Sequence, residues 1–258
     1  MNHDLMTQAE NIVRQSGHIV LDHWDKPRNI TRKGRIDLVT DTDLAVEAFL
    51  KEALADILPG SAFLAEETSA ETKLDRPTWI IDPVDGTTNF AHGVPFVATS
   101  VALWQDGQIV LGLVNMPIMG ELFIARAGQG AFLNGRAMAV SSETDLASSL
   151  VATGFPYSVR EDIEPIMADL KRVLCATQGV RRPGAAAGDL AWVACGRYDA
   201  FYEIGLKAWD TAAGILLVTE AGGQISTFDP DTPYRLGDRT ILASNSRIHR
   251  GLAGLLQA

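Results

Sequence analysis

Four short stretches of the chain carry acids where a structural element should begin or end: Asp41 and Asp43 in DLVTDTD, Glu66 and Glu67 in LAEET, Asp82 and Asp85 in DPVDGTT, and Asp210 in KAWDTAAG. A hard divalent cation such as Mg2+ takes a few carboxylate oxygens plus water, and rigid strand ends fix such oxygens well. The DGTT run adds the complementary chemistry. Gly86 lets a ligand approach the backbone, and the residues after it read as a first helical turn with N–H groups that suit an anion. Asp82 and Asp85 would grip metal while the turn beyond them grips phosphate.

Each acid also has a plainer reading. Asp210 can be the N-cap of TAAGILLVTEAGG, a helix stopped by Gly222. Asp85 can be a turn former ahead of Gly86, and Asp41 and Asp43 can favour a helix dipole. The Asp41-x-Asp43 spacing has the form used by phosphoaspartate enzymes, but Ala45 stands where those carry Thr or Val. A calcium loop running from Asp41 through Asp43 to Glu52 lacks the glycine and the intervening oxygen ligands it needs. Taken together, the four stretches read best as one metal and phosphate site.

Periodicity outlines the elements that must hold these groups. Leu5, Ala9, Ile12, Val13, Ser16 and Val20 recur at helical spacing, and a second helix runs from about 43 to 58, ended by Pro59-Gly60. Residues 61–67 and 78–82 read as strands, the second extended because the residue before Pro83 is pushed out of the helical region. From 97 to 140, strands are broken by Asp106-Gly107 and Asn134-Gly135, dipeptides suited to hairpin turns, which predicts an antiparallel sheet. After about 145, strands at 149–155, 199–205 and 240–245 alternate with helices near 161–174, 186–195, 210–221 and 246–257. The expectation is a mixed α+β chain with two sheets, one largely antiparallel and one more alternating.

At 258 residues the chain can bury a large core, and 47% hydrophobic with 21% charged residues is an ordinary globular composition. The net charge of −10 and the pI near 4.9 argue against nucleic-acid or anionic-membrane surfaces. Cys175 and Cys195 have no CxxC spacing and read as buried small hydrophobes, compatible with a reducing cytosol. His3, His18, His23 and His249 lack ligand spacing and read as surface or helix residues, and His92 as support for the DGTTNF turn. Trp79, Trp104 and Trp192 read as core. Arg181-Arg182 and Lys171-Arg172 are short basic pairs, expected to be solvated or at a subunit contact. The N-terminus lacks a signal-peptide pattern and no long apolar run occurs, so a cytoplasmic protein without a membrane span is expected.

The chain resembles the inositol monophosphatase family of metal-dependent phosphatases related to fructose-1,6-bisphosphatase. KGRIDLVTDTD, FLAEET, WIIDPVDGTTNFAHGVP, GAAAGDLAWVACGRYDAFYE and GLKAWDTAAGILLVTEAGG fall in the family's order over nearly the whole length. The resemblance implies a layered αβαβα sandwich, with an N-terminal half over 1–145 carrying most metal acids and a C-terminal half over 146–258 supplying Asp210 and the substrate pocket. It implies that Glu66, Asp82 and the Val84 carbonyl bind one Mg2+, that Asp82, Asp85 and Asp210 bind a second, and that a third sits through water near Glu66. Thr87, paired with Asp43, would orient and deprotonate the attacking water. The N–H groups of Gly86 and Thr87 would hold the phosphate, Glu203 and Asp210 would meet the substrate, and Ala186 would line its pocket.

The activity implied by the resemblance is that of a Mg2+-dependent phosphomonoesterase acting on a small polyol phosphate, inositol 1-phosphate first, with fructose 1,6-bisphosphate as the alternative. A homodimer inhibited by Li+ is implied as well. Two departures stand out: Gly184-Ala185-Ala186 lacks a hydroxyl that relatives often carry, and the segment around Lys33 is a residue shorter than in some of them. A reading of another class is an interaction partner of the transcription machinery with incidental phosphatase activity.

Overall fold

A computed structural model describes residues 3–26, 29–32, 38–69 and 71–256, so Lys33 lies outside the described residues. In chain order the elements are α1 (His3–Trp24), β1 (Ile30–Arg32), β2 (Leu38–Thr40), α2 (Asp41–Ile57), β3 (Ala62–Ala65), β4 (Thr78–Asp85) and α3 (Thr87–His92). The chain continues with β5 (Ala98–Gln105), β6 (Gln108–Met116), β7 (Glu121–Arg126), β8 (Ala131–Leu133), β9 (Arg136–Met138) and β10 (Leu150–Thr153). It ends with α4 (Ile163–Ala176), β11 (Gly179–Arg181), α5 (Ala186–Ala194), β12 (Ala200–Ile204), α6 (Ala208–Glu220), β13 (Gln224–Ser226), β14 (Thr240–Ser244) and α7 (His249–Leu256).

These elements stack as α-β-α-β-α. A seven-stranded sheet, ordered β3-β4-β5-β6-β7-β8-β9, is antiparallel throughout except where β3 runs parallel to β4. Helices α1 and α2 cover one face of it, while α5 and α6 pack on its other face and separate it from the second sheet. That second sheet is five-stranded, ordered β11-β10-β12-β14-β13, and mixed. Helices α4 and α7 close its outer face. Among the described residues no helix is long and apolar enough to cross a membrane.

Three apolar clusters correspond to these layers. Val13 and Val20 of α1 and Val46, Leu50 and Leu54 of α2 meet Trp79, Val101 and Leu113 of the large sheet. The small residues Ala187, Ala191, Ala212 and Ala213 let α5 and α6 fit between the two sheets. Val173 of α4 and Leu252 of α7 close on Val151 and Leu242.

The dipeptide turns behave as their chemistry requires: Asp106 and Gly107, like Asn134 and Gly135, all have positive φ and join β5 to β6 and β8 to β9. The strand expected to stop at Asp82 instead runs on to Asp85. Its register against β5 shifts between Asp82 and Asp85, and that irregularity accommodates Pro83 beyond Ile81, where the pairing with β3 has ended.

Several expectations are corrected. Cys175 is exposed and Cys195 only partly buried, because α4 turns Ile166, Asp169 and Val173 inward and leaves Cys175 on the opposite face. Of the surface or helix reading of His249 the helix holds, since it opens α7, but it is fully buried there, its ring nitrogens 2.8 Å from the Ser226 and Ser244 hydroxyls. Asp210 is not the N-cap of α6, since Lys207 holds that place and Asp210 lies one turn in. Arg172 is not merely solvated, because its guanidinium donates to the Leu255 carbonyl and pairs with Asp169.

Candidate active site

A cleft of about 490 Å3 gathers side chains from distant parts of the chain. Glu66, from the turn after β3, meets Asp82, Val84 and Asp85 at the C-terminal end of β4, Gly86, Thr87 and Thr88 at the start of α3, and Asp210 from the first turn of α6. Ala185 and Ala186 at the start of α5, Glu203 on β12, and the 154–157 loop complete the wall. Glu67 and Asp41 are not part of the lining. Asp41 is exposed and accepts a hydrogen bond from Asn29, which leaves a phosphoaspartate at that position without a pocket.

Local sequence fixes each group. Gly86 has φ +89°, and a Cβ there would lie 3.0 Å from the Phe96 carbonyl oxygen, so glycine alone permits the reversal from β4 into α3. Helix α3 is too short to hold itself, but it carries Phe90, fully buried with its ring 5.6 Å from that of Trp24. Burying that ring contributes about 2–3 kcal/mol, which outweighs the poor nucleation of a single turn and a half. At the head of α2, Thr40 is the N-cap, and Asp43 returns the bond by accepting from the Thr40 N–H at 2.8 Å and from its hydroxyl.

The other Asp43 oxygen accepts from Thr87 Oγ1 at 3.0 Å, and the same hydroxyl lies 3.0 Å from the Val84 carbonyl. Asp85 accepts from the Ala186 and Ala187 N–H groups at 3.2 and 2.6 Å, which ties β4 to the start of α5. Asp210 accepts from the Lys207 N–H at 2.6 Å. The turn bearing Glu66 is held by buried Glu47, whose carboxylate takes the Glu67 N–H at 2.8 Å and the Thr68 hydroxyl.

The electrostatics are those of crowded acids. Burial pushes the Asp82 carboxyl well above its usual range, and Glu66, Asp85, Asp210 and Asp43 then push it further. Asp85 is raised to about 7, chiefly by burial and against the pull of the Ala187 N–H, and Asp210 is also raised to about 7, by burial and then by Asp85. Burial likewise raises Asp43. A fold that collects four carboxyls against their own repulsion, with oxygen donors only, has a donor set that fits a hard cation. As the side chains stand, no three His, Cys, Asp or Glu among the described residues form a closed metal-holding group. Asp85 and Asp210 lean instead on backbone N–H groups.

Two cleft residues escaped sequence reasoning. Arg182, expected to be solvated or at a subunit contact, is exposed and also lines the cleft, its guanidinium 5.3 Å from the Phe155 ring centroid. Asp189 sat unremarked inside the GAAAGDLAW block, although its place three residues after Ala186 in the first turn of α5 puts both on one face. An acid in an otherwise apolar helical run was the signal available.

The family model described as the inositol monophosphatase family matches residues 1–258. The chain belongs to the inositol monophosphatase family. It is 40% identical to the inositol-1-monophosphatase of Caulobacter vibrioides over 232 residues, 89% of this chain and 91% of that one. Among solved structures it is similar to the extragenic suppressor protein suhB from Bartonella henselae, with a TM-score of 0.90, 36% identity, and 98% and 97% of the two chains covered. It is also similar to an inositol monophosphatase from Anabaena (Nostoc) sp. PCC 7120, with a TM-score of 0.89, 36% identity, and 98% and 94% covered. Membership makes this chain a phosphatase with the family's layered fold.

Proposed function

We propose that the chain hydrolyses a small polyol phosphate, inositol 1-phosphate first, to the free polyol and inorganic phosphate, with Mg2+ held in the acidic cleft. The observation that carries the reading is the convergence of Glu66, Asp82, Asp85 and Asp210 on one cleft that also contains Thr87 in contact with Asp43. Glu66, Asp82 and the Val84 carbonyl would hold one ion, Asp82, Asp85 and Asp210 a second, and a third would lie through water near Glu66. Mg2+ so bound supplies a lowered pKa for water and a countercharge for the leaving oxygen.

The chain's own residues do the rest. Thr87 donates its hydroxyl hydrogen to Asp43, which leaves its lone pairs free to receive a hydrogen from the attacking water. Asp43, its carboxyl raised by burial, is suited to take up the proton passed through that hydroxyl. The bond from water oxygen to phosphorus forms as the bond from phosphorus to the polyol oxygen breaks; the polyol alkoxide takes a proton from solvent water, and Asp43 returns to solvent the one it accepted. The N–H groups of Gly86 and Thr87 orient the phosphate, and Glu203 and Asp210 receive the polyol, with Ala186 against it. Family likeness supports a cytoplasmic homodimer inhibited by Li+ as part of the same reading.

Phosphate release from inositol 1-phosphate, fructose 1,6-bisphosphate, histidinol phosphate and 3'-phosphoadenosine 5'-phosphate, with and without Mg2+, tests it on wild type and Asp85→Asn. The expected result is strong preference for inositol 1-phosphate, lost on chelation and in the variant. No turnover of any substrate by folded, Mg2+-loaded wild type would sink the reading and favour an interaction protein.

A further inference from the structure

We infer that Asp189 reads a hydroxyl of the leaving polyol beside Glu203, and so selects neutral polyhydroxylated leaving groups over those carrying a second phosphate. The inference rests on the hydrolytic reading above and adds the substrate class that the cleft prefers. Asp189 lines the cleft yet is only 1% exposed, and its Oδ1 has no hydrogen-bond partner among the described residues. Leaving such a group unsatisfied is costly. The other buried side chains of α5, Leu190 and Val193 among them, are apolar and offer it no donor. A donor arriving in the cleft would satisfy it.

Glu203 enters the same wall from β12. Its carboxylate lies against Gly154, where a Cβ would stand 2.1 Å from Oε2, so the absence of a side chain at 154 is what makes room for it. Burial pushes both carboxyls well above their usual range; Glu203 acts next on Asp189, and Asp210 next on Glu203. The cation acting on both is Arg182, which draws each of them down and faces the Phe155 ring. Ala185 and Ala186 bring no polar side chain to this wall, so Asp189 is the polar group that α5 offers.

Charge decides between the two candidate substrate classes. Asp189 and Glu203 put two buried carboxyls on this wall, and the Arg182 guanidinium acts on both from the rim of the cleft. Hydroxyls, which donate and accept, match such a wall. A second phosphate would meet two buried acids.

The test is kcat/KM with Mg2+ for inositol 1-phosphate, fructose 1,6-bisphosphate and p-nitrophenyl phosphate, on wild type, Asp189→Asn and Asp189→Ala, with a melting curve for each protein. One hydrogen bond to a charged group corresponds to about 10–100-fold. The ratio of inositol 1-phosphate to p-nitrophenyl phosphate, which has no hydroxyls on its leaving group, is expected to fall about tenfold in Asp189→Asn and further in Asp189→Ala. The ratio of the bisphosphate to inositol 1-phosphate should rise in both. Ratios within about twofold of wild type would overturn the inference, as would an equal fall on all three substrates, which marks a structural role. If Asp189→Ala does not fold, the isosteric Asp189→Asn decides. Wild type inactive on every substrate overturns the hydrolytic reading itself, whereas active wild type with unchanged ratios overturns only the role of Asp189.

Discussion

Replacing Thr87 by valine removes one hydroxyl and almost no volume. In the fold that hydroxyl is 3.0 Å from both the Asp43 carboxylate and the Val84 carbonyl, two buried acceptors. Asp43 keeps its two bonds from Thr40, so one carboxylate oxygen is stranded rather than the whole group. A single stranded buried acceptor costs about 1–3 kcal/mol. For a chain of this size that lowers Tm by about 2–12 °C, since each kcal/mol shifts it by about 2–4 °C. The effect on turnover should be far larger. Without the hydroxyl no path leads from the attacking water to Asp43, and loss of such proton transfer costs about 100- to 10,000-fold in kcat. Thr87→Ser, which restores the oxygen, should recover activity to within about tenfold of wild type. Phosphate release at saturating Mg2+, read beside the melting curves, separates the two effects. A Thr87→Val protein that keeps a third of wild-type kcat would refute the assignment of Thr87 and Asp43 as a proton path.

Gly86→Ala forces a Cβ to 3.0 Å from the Phe96 carbonyl oxygen at φ +89°, and strain of this kind costs about 1–3 kcal/mol; thermal melting should show the loss, with activity falling as Asp85 and Thr87 shift. Glu47→Ala removes the acceptor for the Glu67 N–H and the Thr68 hydroxyl, so the Mg2+ concentration for half activity should rise about tenfold or more, which a Mg2+ titration of turnover measures. His249 is held at about 4, below its ordinary 6.5, first by burial. Because the unfolded chain binds the extra proton, this contribution to stability is complete above about 6.5 and is lost as pH falls toward 4. Between pH 7.5 and 5 the difference in Tm between wild type and His249→Asn should therefore shrink, and a constant difference would contradict the buried neutral ring.

Much of this arrangement could be read from the chain because local rules and global fold agreed. Asp106-Gly107 and Asn134-Gly135 demanded positive φ and obtained it, and helical spacing in α1 and α2 marked the faces that the large sheet covers. The acids of the cleft were visible because each stood at an element's end. What local reasoning missed depended on long-range placement. That β4 continues through Pro83 is decided by its pairing with β5, at Asp82 with Ser100 and Asp85 with Ala98, which no nearest-neighbour rule contains. Asp210 looked like an N-cap because the sequence does not reveal that Lys207 precedes the helix in extended backbone. Arg182 stays exposed, but only the fold brings Phe155 beneath it, and the hydroxyls that meet the buried His249 ring come from β13 and β14.

The central claim is that Glu66, Asp82, Asp85 and Asp210 with the Val84 carbonyl exist to hold divalent cations. Crystals of the protein soaked in Mn2+, a scatterer that takes the same oxygen ligands as Mg2+, test it through anomalous difference density. The account predicts at least two peaks in the cleft, within coordinating distance of those oxygens, the one beside Asp82, Asp85 and Asp210 being lost in Asp85→Asn. An ordered cleft with no peak at saturating Mn2+ would contradict it.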